Sequence, residues 1–336
     1  MKHQLHKLVP VCTLIAFFHT GHTLAMSELL DEKTALNTLL PAPSWALSVN
    51  CHDDPQALQK AIYNSRWSVQ RSQFAIAGEC YGPIIIDKRD IEVSNDAPYS
   101  GSITLNPSHI SSELSTTEVV KISNSTVALT NIAIKMNDIP RAVTVTKNSV
   151  VTLNNISGSV KPTAEKVTYP FVVTDNSTTY VSNSTGAGFE VSGSSVMQFD
   201  SENNGHFLNV LDTSVARSVS QNQFESVQVS GNTYFLGDNK THIESLMVWS
   251  KASAEVNRES SVAQLQMGGQ TLFAAYRNSS ISGPYSLYGN VVFELEHSSA
   301  SNWVSVDKPQ SILLGNNAIV NGTLYPSWSW AGQDGN

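Results

Sequence analysis

The stretch from residue 205 to residue 231 reads GHFLNVLDTSVARSVSQNQFESVQVSG, and it holds an apolar–x–apolar triplet twice, at Leu208/Val210 and at Val227/Val229. These triplets are nineteen residues apart (227 − 208). The same step reaches Phe189/Val191, Leu246/Val248 and Leu265/Met267, and steps of twenty and nineteen then reach Tyr285/Leu287 and Val304/Val306. A fixed period near twenty with alternation inside it predicts a solenoid of stacked short strands, because no single repeat can bury its apolar side chains alone.

A second apolar column has the same period and comprises Phe224, Ile243, Val262, Ile281, Ala300 and Ile319. Upstream, the triplet recurs at irregular steps, at Phe171/Val173, Val143/Val145, Val120/Ile122 and Ile103/Leu105. A leucine-rich repeat is excluded because its Leu-x-x-Leu-x-Leu pattern is absent, and a β-sandwich would not keep two columns in phase. We therefore predict an all-β parallel β-helix of about eleven coils, each of about nineteen residues.

The composition agrees with a β protein and narrows the partners. The 336-residue chain has 40% hydrophobic and 14% charged residues, and its formal net charge is −8. Serine, threonine and asparagine are abundant, and these residues compete with the helical backbone for hydrogen bonds. Disorder is excluded, since it requires low hydrophobicity together with high net charge. The acidic balance argues against nucleic acid and anionic membranes as partners.

The first 25 residues have the features of a cleavable, bacterial-type signal peptide. Lys2 and Lys7 precede an apolar run over residues 8–18, and Thr23-Leu24-Ala25 supplies small residues at the cleavage site. A buried N-terminal helix is the alternative. The apolar run is too short to span a bilayer, and no later segment is long and apolar enough. We predict a secreted or periplasmic protein without membrane insertion.

Two short helices are predicted between the signal peptide and the solenoid. The amphipathic pattern of Ser27 to Leu40 ends at Pro41, and a second helix covers Asp54 to Ile62, with Asp54 as N-cap and Pro55 at the first helical position. The predicted organisation is a signal peptide at 1–25, a helical N-terminal cap region at 26–73, the β-helix at 74–325 and a C-terminal tail at 326–336.

Cys51 and Cys80 are the two cysteines that remain once the signal peptide, with Cys12, is removed. An even pair in an oxidising compartment predicts one disulfide, and two free thiols are the alternative. Closing this loop would stabilise the fold by roughly 3 kcal/mol in the chain-entropy account.

The run from Phe74 to Ile86, FAIAGECYGPIII, resembles the entry coil of exported bacterial proteins of the pectin-lyase-like superfamily, where apolar alternation runs into Gly-x-Cys and another strand. The helix containing Leu58 and Ile62 is similar to the cap that these proteins place over the open end of the core. The resemblance covers roughly residues 52 to 325 and implies a single-stranded, right-handed parallel β-helix with a short α-helical N-terminal cap. It leaves the function open, because this fold hosts lyases, hydrolases, adhesins and spacers.

The middle residue of each triplet is expected to point outward and to form a ladder along one flank. The ladder residues are Lys121, Thr144, Val172, Glu190, Asn209, Gln228, Met247, Gln266, Ser286 and Ser305. The enzymes of this superfamily need clustered carboxylates, or carboxylates that hold calcium beside a basic residue. One acid and one base far apart in sequence argue against an active site on this ladder. No histidine spacing indicates a metal site, and we predict no metal and no cofactor.

Two turns are longer than the rest, because the coils from Val120 to Val143 and on to Phe171 measure 23 and 28 residues (143 − 120 and 171 − 143). Insertions in a solenoid often build its binding face. The charged candidates there are Lys135 and Lys161 as contacts to an acidic polysaccharide, and Arg141, Lys166, Asp138 and Glu165 as catalytic residues of an enzyme. Two solvated loops are the alternative.

An aromatic pair is the second candidate binding feature. Trp249 and Tyr288 occupy equivalent positions two coils apart, with Gly268 between them. In-register stacking predicts rings about 10 Å apart, which resembles the spacing of sugar rings along a glycan. Packing against a neighbouring loop is the alternative.

These features favour an exported, non-catalytic β-helix that binds a glycan or a surface polymer along its flank. The alternatives are a polysaccharide lyase or glycosidase acting at the long turns, and an inert extracellular spacer. We expect no depolymerase activity. If activity exists, Arg141→Ala or Lys166→Ala is expected to abolish it, and Glu190→Gln to leave it intact.

Overall fold

The computed structural model describes residues 47–95, 101–105, 118–135, 141–159, 170–302, 310–327 and 329–330. Over these residues the chain is an all-β parallel solenoid of about 11 turns, with 65% strand and 5% helix. The predicted fold class is therefore confirmed. The predicted signal peptide (1–25), the predicted helix from Ser27 to Leu40 and the triplet at Val304/Val306 lie outside the described residues.

Each coil contributes to three flanks, which we call faces A, B and C in the order in which the chain runs through them. Face A carries the triplets and includes β3 (Ile84–Asp87), β6 (Glu118–Ser123), β9 (Arg141–Thr146) and β12 (Phe171–Val173). Face B includes β1 (Leu47–Asn50), β4 (Asp90–Ser94), β7 (Thr126–Thr130), β10 (Val150–Asn154), β13 (Thr178–Ser182), β15 (Val196–Ser201), β17 (Val215–Ser218), β19 (Tyr234–Gly237), β21 (Ser253–Val256) and β26 (Gln310–Gly315). Face C includes β5 (Gly101–Leu105), β8 (Ile132–Lys135), β11 (Ser157–Ser159), β23 (Ser280–Ile281), β25 (Ser299–Ala300) and β27 (Ala318–Val320).

The longer strands turn a corner between faces. From B to C runs β2 (Ser72–Gly82), and from C to A run β14 (Thr185–Val191), β16 (Asn204–Val210), β18 (Gln223–Gly231) and β20 (His242–Ser250). All three faces share β22 (Ser261–Tyr276), whereas β24 (Tyr285–Glu296) runs from A to B. At the C-terminal end β28 (Thr323–Tyr325) and β29 (Ser329–Trp330) pair antiparallel with β27 and β26.

The predicted nineteen-residue columns are confirmed in the regular coils. Face A stacks Phe189, Leu208, Val227, Leu246, Leu265 and Tyr285 in consecutive parallel strands, and each of these residues is at most 2% exposed. Face C likewise stacks Phe224, Ile243, Val262, Ile281 and Ala300. The two columns face one interior, which accounts for their constant phase.

The prediction that Ile319 is the last member of the second column is wrong. Ile319 is 41% exposed, and Val320 pairs with Ala300 instead. The cause is the length of the preceding turn. From Gly315 to Ile319 it spans four positions (319 − 315), whereas the equivalent turn of the coil before spans three, from Glu296 to Ser299 (299 − 296). The extra residue moves the next inward side chain by one position.

The prediction that the triplet at Ile103/Leu105 belongs with the face A triplets is also wrong. Ile103 lies in face C, where it pairs with Cys80 and Ile134, and the face A partner of Val120 is Ile84. This coil is 36 residues long (120 − 84), so a triplet on another face falls where a shorter coil would place the next face A strand. Apolar alternation is the same on every face and does not distinguish them.

Aromatic rings fill the interior where the coils change from irregular to regular. The ring centroids of Phe171 and Phe189 are 5.1 Å apart, and Phe199 lies 5.0 Å from Phe189. Face C provides the space with glycine: a Cβ atom at Gly186 would lie 2.9 Å from the Phe171 ring. These rings can pack in this way only because residue 186 is a glycine and has no side chain.

Buried hydroxyl and amide ladders line the corners of the solenoid and use many of its serines and asparagines. At the corner from A to B, the backbone N–H groups of Ser125, Ser149, Ser177 and Ser195 each donate to the hydroxyl of the next coil over 3.2–3.3 Å. At the corner from B to C, the N–H of Asn203 donates to Oδ1 of Asn222 over 2.9 Å. These side chains satisfy backbone donors that the turns leave unpaired inside the protein.

The N-terminal end is closed by the helix α1 (Ala57–Asn64), which continues as a 3-10 turn over Ser65–Trp67 and buries Leu58 and Ile62. Its N-cap is Gln56 rather than the predicted Asp54. Asp54 instead accepts a hydrogen bond from the Gln56 N–H over 3.1 Å in a turn before the helix. Strand β1 precedes the helix and pairs with Phe74 to Ala77, so parallel pairing begins upstream of residue 74. The predicted disulfide between Cys51 and Cys80 is present, with Cα atoms 5.0 Å apart.

Candidate functional site

The long turns lie at one corner of the solenoid. Face C ends at Leu105, Lys135 and Ser159 in three consecutive coils, and face A resumes at Glu118, Arg141 and Phe171. The residues between these strands contain the predicted site residues Asp138, Lys161, Glu165 and Lys166, which lie outside the described residues. Lys135 and Arg141 flank the corner and are described.

Lys135 is held by an ion pair on face C. Its ammonium group lies 2.7 Å from the Glu79 carboxylate, and both side chains are exposed. An exposed pair of this kind contributes at most about 1 kcal/mol to stability. The pairing also occupies the charge that was predicted to meet an acidic ligand.

Arg141 lies at the edge of a set of outward side chains that are buried. Thr144, Val172, Glu190 and Asn209 follow one another in register on the outer side of face A. Thr144 is 6%, Val172 4% and Asn209 9% exposed. This part of the ladder is therefore covered, although its residues occupy the outward positions expected from the sequence. We call Arg141, Thr144, Val172, Glu190 and Asn209 the Glu190 cluster.

Glu190 is the titratable centre of the cluster. Burial raises the pKa of its carboxyl above the ordinary value, and the Asp212 carboxylate acts in the same direction. The positive charge of Arg141 and a hydrogen bond donated by Asn209 lower the pKa but do not cancel the effect of burial. Arg141 and Glu190 are 49 residues apart (190 − 141), and stacking two coils brings them into electrostatic contact.

Two buried acceptors of the cluster are unsatisfied. Oγ1 of Thr144 and Oδ1 of Asn209 have no hydrogen-bond partner. Among the described residues Arg141 likewise forms no ion pair within 4.0 Å, even with Glu190. Buried polar atoms without partners are uncommon in native proteins, and each one needs a reason. In the sequence, the one feature that distinguishes Thr144 and Asn209 is their outward position in the triplets.

The predicted aromatic pair exists, but its geometry differs from the expected one. The ring centroids of Trp249 and Tyr288 are 6.4 Å apart rather than about 10 Å, and the rings are nearly parallel at 12°. Gly268 stands between them in register, and a Cβ atom there would overlap the Trp249 ring. Without that side chain the indole lies over the glycine and reaches the tyrosine. The two rings are stacked, and Tyr288 is 40% exposed while Trp249 is half-buried.

An amide column runs beside the aromatic pair on face A. Gln228, Met247, Gln266 and Ser286 follow one another in register, two positions before the column that carries Trp249 and Tyr288. All four side chains are partly or largely exposed. Face A therefore presents an aromatic pair beside side chains that can both donate and accept hydrogen bonds.

Face B also has a polar aromatic group, but its hydrogen bonds are made within the protein. The Tyr234 hydroxyl donates to Oε2 of Glu255 over 2.9 Å, and Asn257 donates to Oε1 over 3.4 Å. Burial and the neighbouring carboxylate raise the pKa of the Tyr234 hydroxyl, so it remains a donor. These hydrogen bonds stabilise face B. They also occupy the Tyr234 hydroxyl and both carboxylate oxygens of Glu255, so these groups have less capacity to bind a ligand.

Across the described ranges, no group of three or more His, Cys, Asp or Glu side chains is placed to hold a metal ion. In that part of the chain no helix is long and apolar enough to cross a membrane.

Taken by its fold, the chain is a parallel β-solenoid. Comparisons with protein-family models, with curated proteins and with solved structures found no match. The resemblance to the pectin-lyase-like superfamily consequently gains no support at the level of family, while the solenoid itself is established by the strand register.

Proposed function

We propose that this protein is an exported, non-catalytic solenoid that binds a glycan or another surface polymer along face A. The observation that carries the proposal is the stacked pair Trp249–Tyr288 beside the amide column of the same face. The Cys51–Cys80 disulfide supports a location in an oxidising compartment.

The chemistry of the flank suits a sugar polymer. Sugar rings combine apolar C–H faces, which pack on aromatic rings, with hydroxyl groups that donate and accept hydrogen bonds. Gln228 and Gln266 are two coils apart, about 10 Å along the axis, and the aromatic pair lies on the same side of them. Strands of a stacked solenoid hold these groups in place before binding, which lowers the entropic cost of association.

The test compares Trp249→Ala with a matched control. Retention is measured by co-sedimentation with cellulose, chitin and starch, and by affinity electrophoresis in gels that contain soluble neutral or acidic polysaccharides. We expect Trp249→Ala to weaken binding about tenfold, as for an aromatic anchor at an interface. Trp67→Ala removes an exposed tryptophan near α1 and should leave binding unchanged. Equal retention of Trp249→Ala and wild type, or no retention at all, would favour the inert spacer.

Glycoside cleavage is a second candidate, favoured by one observation. The Glu190 carboxyl has a raised pKa, as expected of a general acid, and the Asp212 carboxylate lies close enough to contribute to that shift. Assays for new reducing ends and for unsaturated products test this candidate. Because Arg141 and Glu190 interact, the earlier expectation for Glu190→Gln changes, and this variant should lose any activity that exists. Activity that persists in Glu190→Gln would exclude the cluster as its source.

A further inference from the structure

Face B differs from face C in the chemistry of its outward side chains. One outward column of face B is mostly apolar and consists, in register, of Val150, Thr178, Val196, Val215, Tyr234, Ser253, Leu272 and Val292. In the same eight coils the matching outward column of face C is polar throughout and consists of Ser157, Thr185, Asn204, Gln223, His242, Ser261, Ser280 and Ser299. Both columns stand on parallel strands, so strand formation alone does not explain the difference.

The outward side of face B has the composition of a covered sheet. Its inward side already fills the core with rings such as Phe235 and Phe273, which are fully buried. Parallel strands that are apolar on both sides are typical of sheets that are buried on both sides. Yet Val150 is 43% exposed, and Val215 and Leu272 are partly exposed. A row of accessible apolar side chains along one flank indicates an interaction surface.

A second outward column of face B carries unpaired positive charge near a fixed carboxylate. Arg217 and Glu255 are two coils apart, with Leu236 between them. Among the described residues Arg217 forms no ion pair within 4.0 Å, and its Nε atom is buried without a hydrogen-bond partner. The Glu255 carboxylate is held in place by donors from Tyr234 and Asn257. A carboxylate has about four acceptor positions, so it can receive a guanidinium as well.

Two-fold symmetry makes these columns complementary to themselves. An axis parallel to the strands and through β19 keeps each column opposite its own copy and reverses the order of the coils. Because β19 is the middle one of the nine face B strands from β10 to β26, this axis also gives the largest overlap. It places Arg217 opposite Glu255 of the second copy, and Tyr180 opposite its Glu294, each contact occurring twice. An axis along the solenoid would instead place Arg217 opposite Arg217.

We propose that face B is a self-association surface, on which a second copy of the chain packs with its solenoid axis reversed and Arg217 of each copy meets Glu255 of the other. Nine strands extend over about 38 Å along the axis and about 15 Å across it, so the two copies together bury roughly 1,100 Å². Specific interfaces begin at about 1,000 Å², which predicts a reversible dimer rather than an obligate one. Face A stays outside this interface, so the inference does not depend on the proposed glycan binding.

The experiment is sedimentation velocity of the full chain from about 1 to about 100 μM, where we expect a concentration-dependent shift from monomer to dimer. Arg217→Glu and Glu255→Arg each place like charges opposite one another twice, and each variant alone should associate at least about tenfold more weakly. An equimolar mixture of the two variants should dimerise again, because both contacts of the mixed dimer join opposite charges. Gln223→Glu adds a charge at an exposed position of face C and should leave association unchanged.

Unfolding temperature and circular dichroism confirm that the variants fold. Arg217→Glu breaks no hydrogen bond or ion pair within the described part of the chain. If Glu255→Arg fails to fold, Glu255→Gln, which can still accept from Tyr234, should also weaken the dimer.

A wild-type chain that is monomeric at every concentration would overturn the inference. So would a dimer that neither variant weakens, or a mixture of folded variants that stays monomeric. Retention of the monomer on a polysaccharide would leave the proposed function standing, so the two failures are distinguishable.

Discussion

The upstream and downstream halves of face A share one architecture and present opposite surfaces. From Val143 to Leu208 the coils measure 28, 18 and 19 residues (171 − 143, 189 − 171 and 208 − 189), and the outward side chains of Thr144, Val172 and Asn209 are buried, with two unsatisfied polar atoms. Between Gln228 and Tyr288 the coils keep a period of nineteen or twenty residues, and the outward side chains are amides, a hydroxyl and an aromatic pair that remain accessible.

The difference shows that the strand register sets the core, whereas the turns set the surface. Inward side chains are equally buried in both halves: Val143 and Leu246 are each at most 1% exposed. What changes is the length of chain between face C and face A, which is long before β6, β9 and β12 and absent from β14 onward, where β14, β16, β18 and β20 continue directly from C to A. The accessible outward side chains of face A from Gln228 to Tyr288 therefore lie on regular coils.

The largest expected effect concerns Phe189, at the boundary between the halves. Its ring stacks on Phe171 upstream and meets Phe199 in an edge-to-face contact. We expect Phe189→Ala to lower the free energy of unfolding by about 3–5 kcal/mol, because a large cavity forms where both halves pack. Denaturant titration followed by circular dichroism measures it. Phe207→Ala, at a half-buried ring outside the core, should cost about 1 kcal/mol or less. Similar losses in both variants would contradict a shared core at the boundary.

An intermediate effect is expected at Gly268, which permits the aromatic stack of the downstream half. The Cβ atom of Gly268→Ala would overlap the Trp249 ring and force it away from Tyr288. The loss of the pair should cost about 1 kcal/mol, and the near-ultraviolet circular dichroism of the stacked rings should decrease. Polysaccharide retention should fall with it. An unchanged spectrum would mean that the indole does not rest on the glycine. Gly269→Ala cannot serve as a control, because Gly269 has a left-handed φ that strains any other residue.

The smallest effect is a pH dependence in the upstream half. The pKa of Glu190 is raised in the folded state, so its ionisation opposes folding, and this cost is absent below the ordinary carboxyl pKa and complete above the raised one. Glu190→Gln removes the titrating carboxyl and leaves the groups that act on it, Arg141, Asp212 and Asn209, unchanged. We expect the variant to gain stability relative to wild type as pH rises through this window, by less than about 0.5 kcal/mol. A stability difference that is the same at acidic and neutral pH would contradict the shift.

Much of the fold followed from the sequence, and the errors have local causes. The columns through Leu208 and Phe224 and the Cys51–Cys80 disulfide were predicted because each depends on spacing or on cysteine number alone. The assignments of Ile103 and Ile319 failed because one long coil and one longer turn changed the phase without changing the pattern. The Asp54 cap failed because a turn competes for the same carboxylate.

The candidate site was only partly predictable. Trp249, Tyr288 and Arg141 were identified from their positions in the repeat. The ring separation was not, because it depends on how an indole leans into the space above Gly268. The interaction of Arg141 with Glu190 was missed because it joins two coils, and the burial of Thr144 and Asn209 was missed because alternation indicates direction and not coverage.

By itself the sequence determined that the chain is a solenoid, where its regular coils lie and which side chains point inward, since a repeating period and alternation are properties of one dimension. Only the tertiary structure decided which coils carry three faces in the same order, which distant charges meet and which outward side chains are buried. Those properties arise from contacts between coils 18 to 36 residues apart (189 − 171 and 120 − 84), and the lengths of individual turns set them.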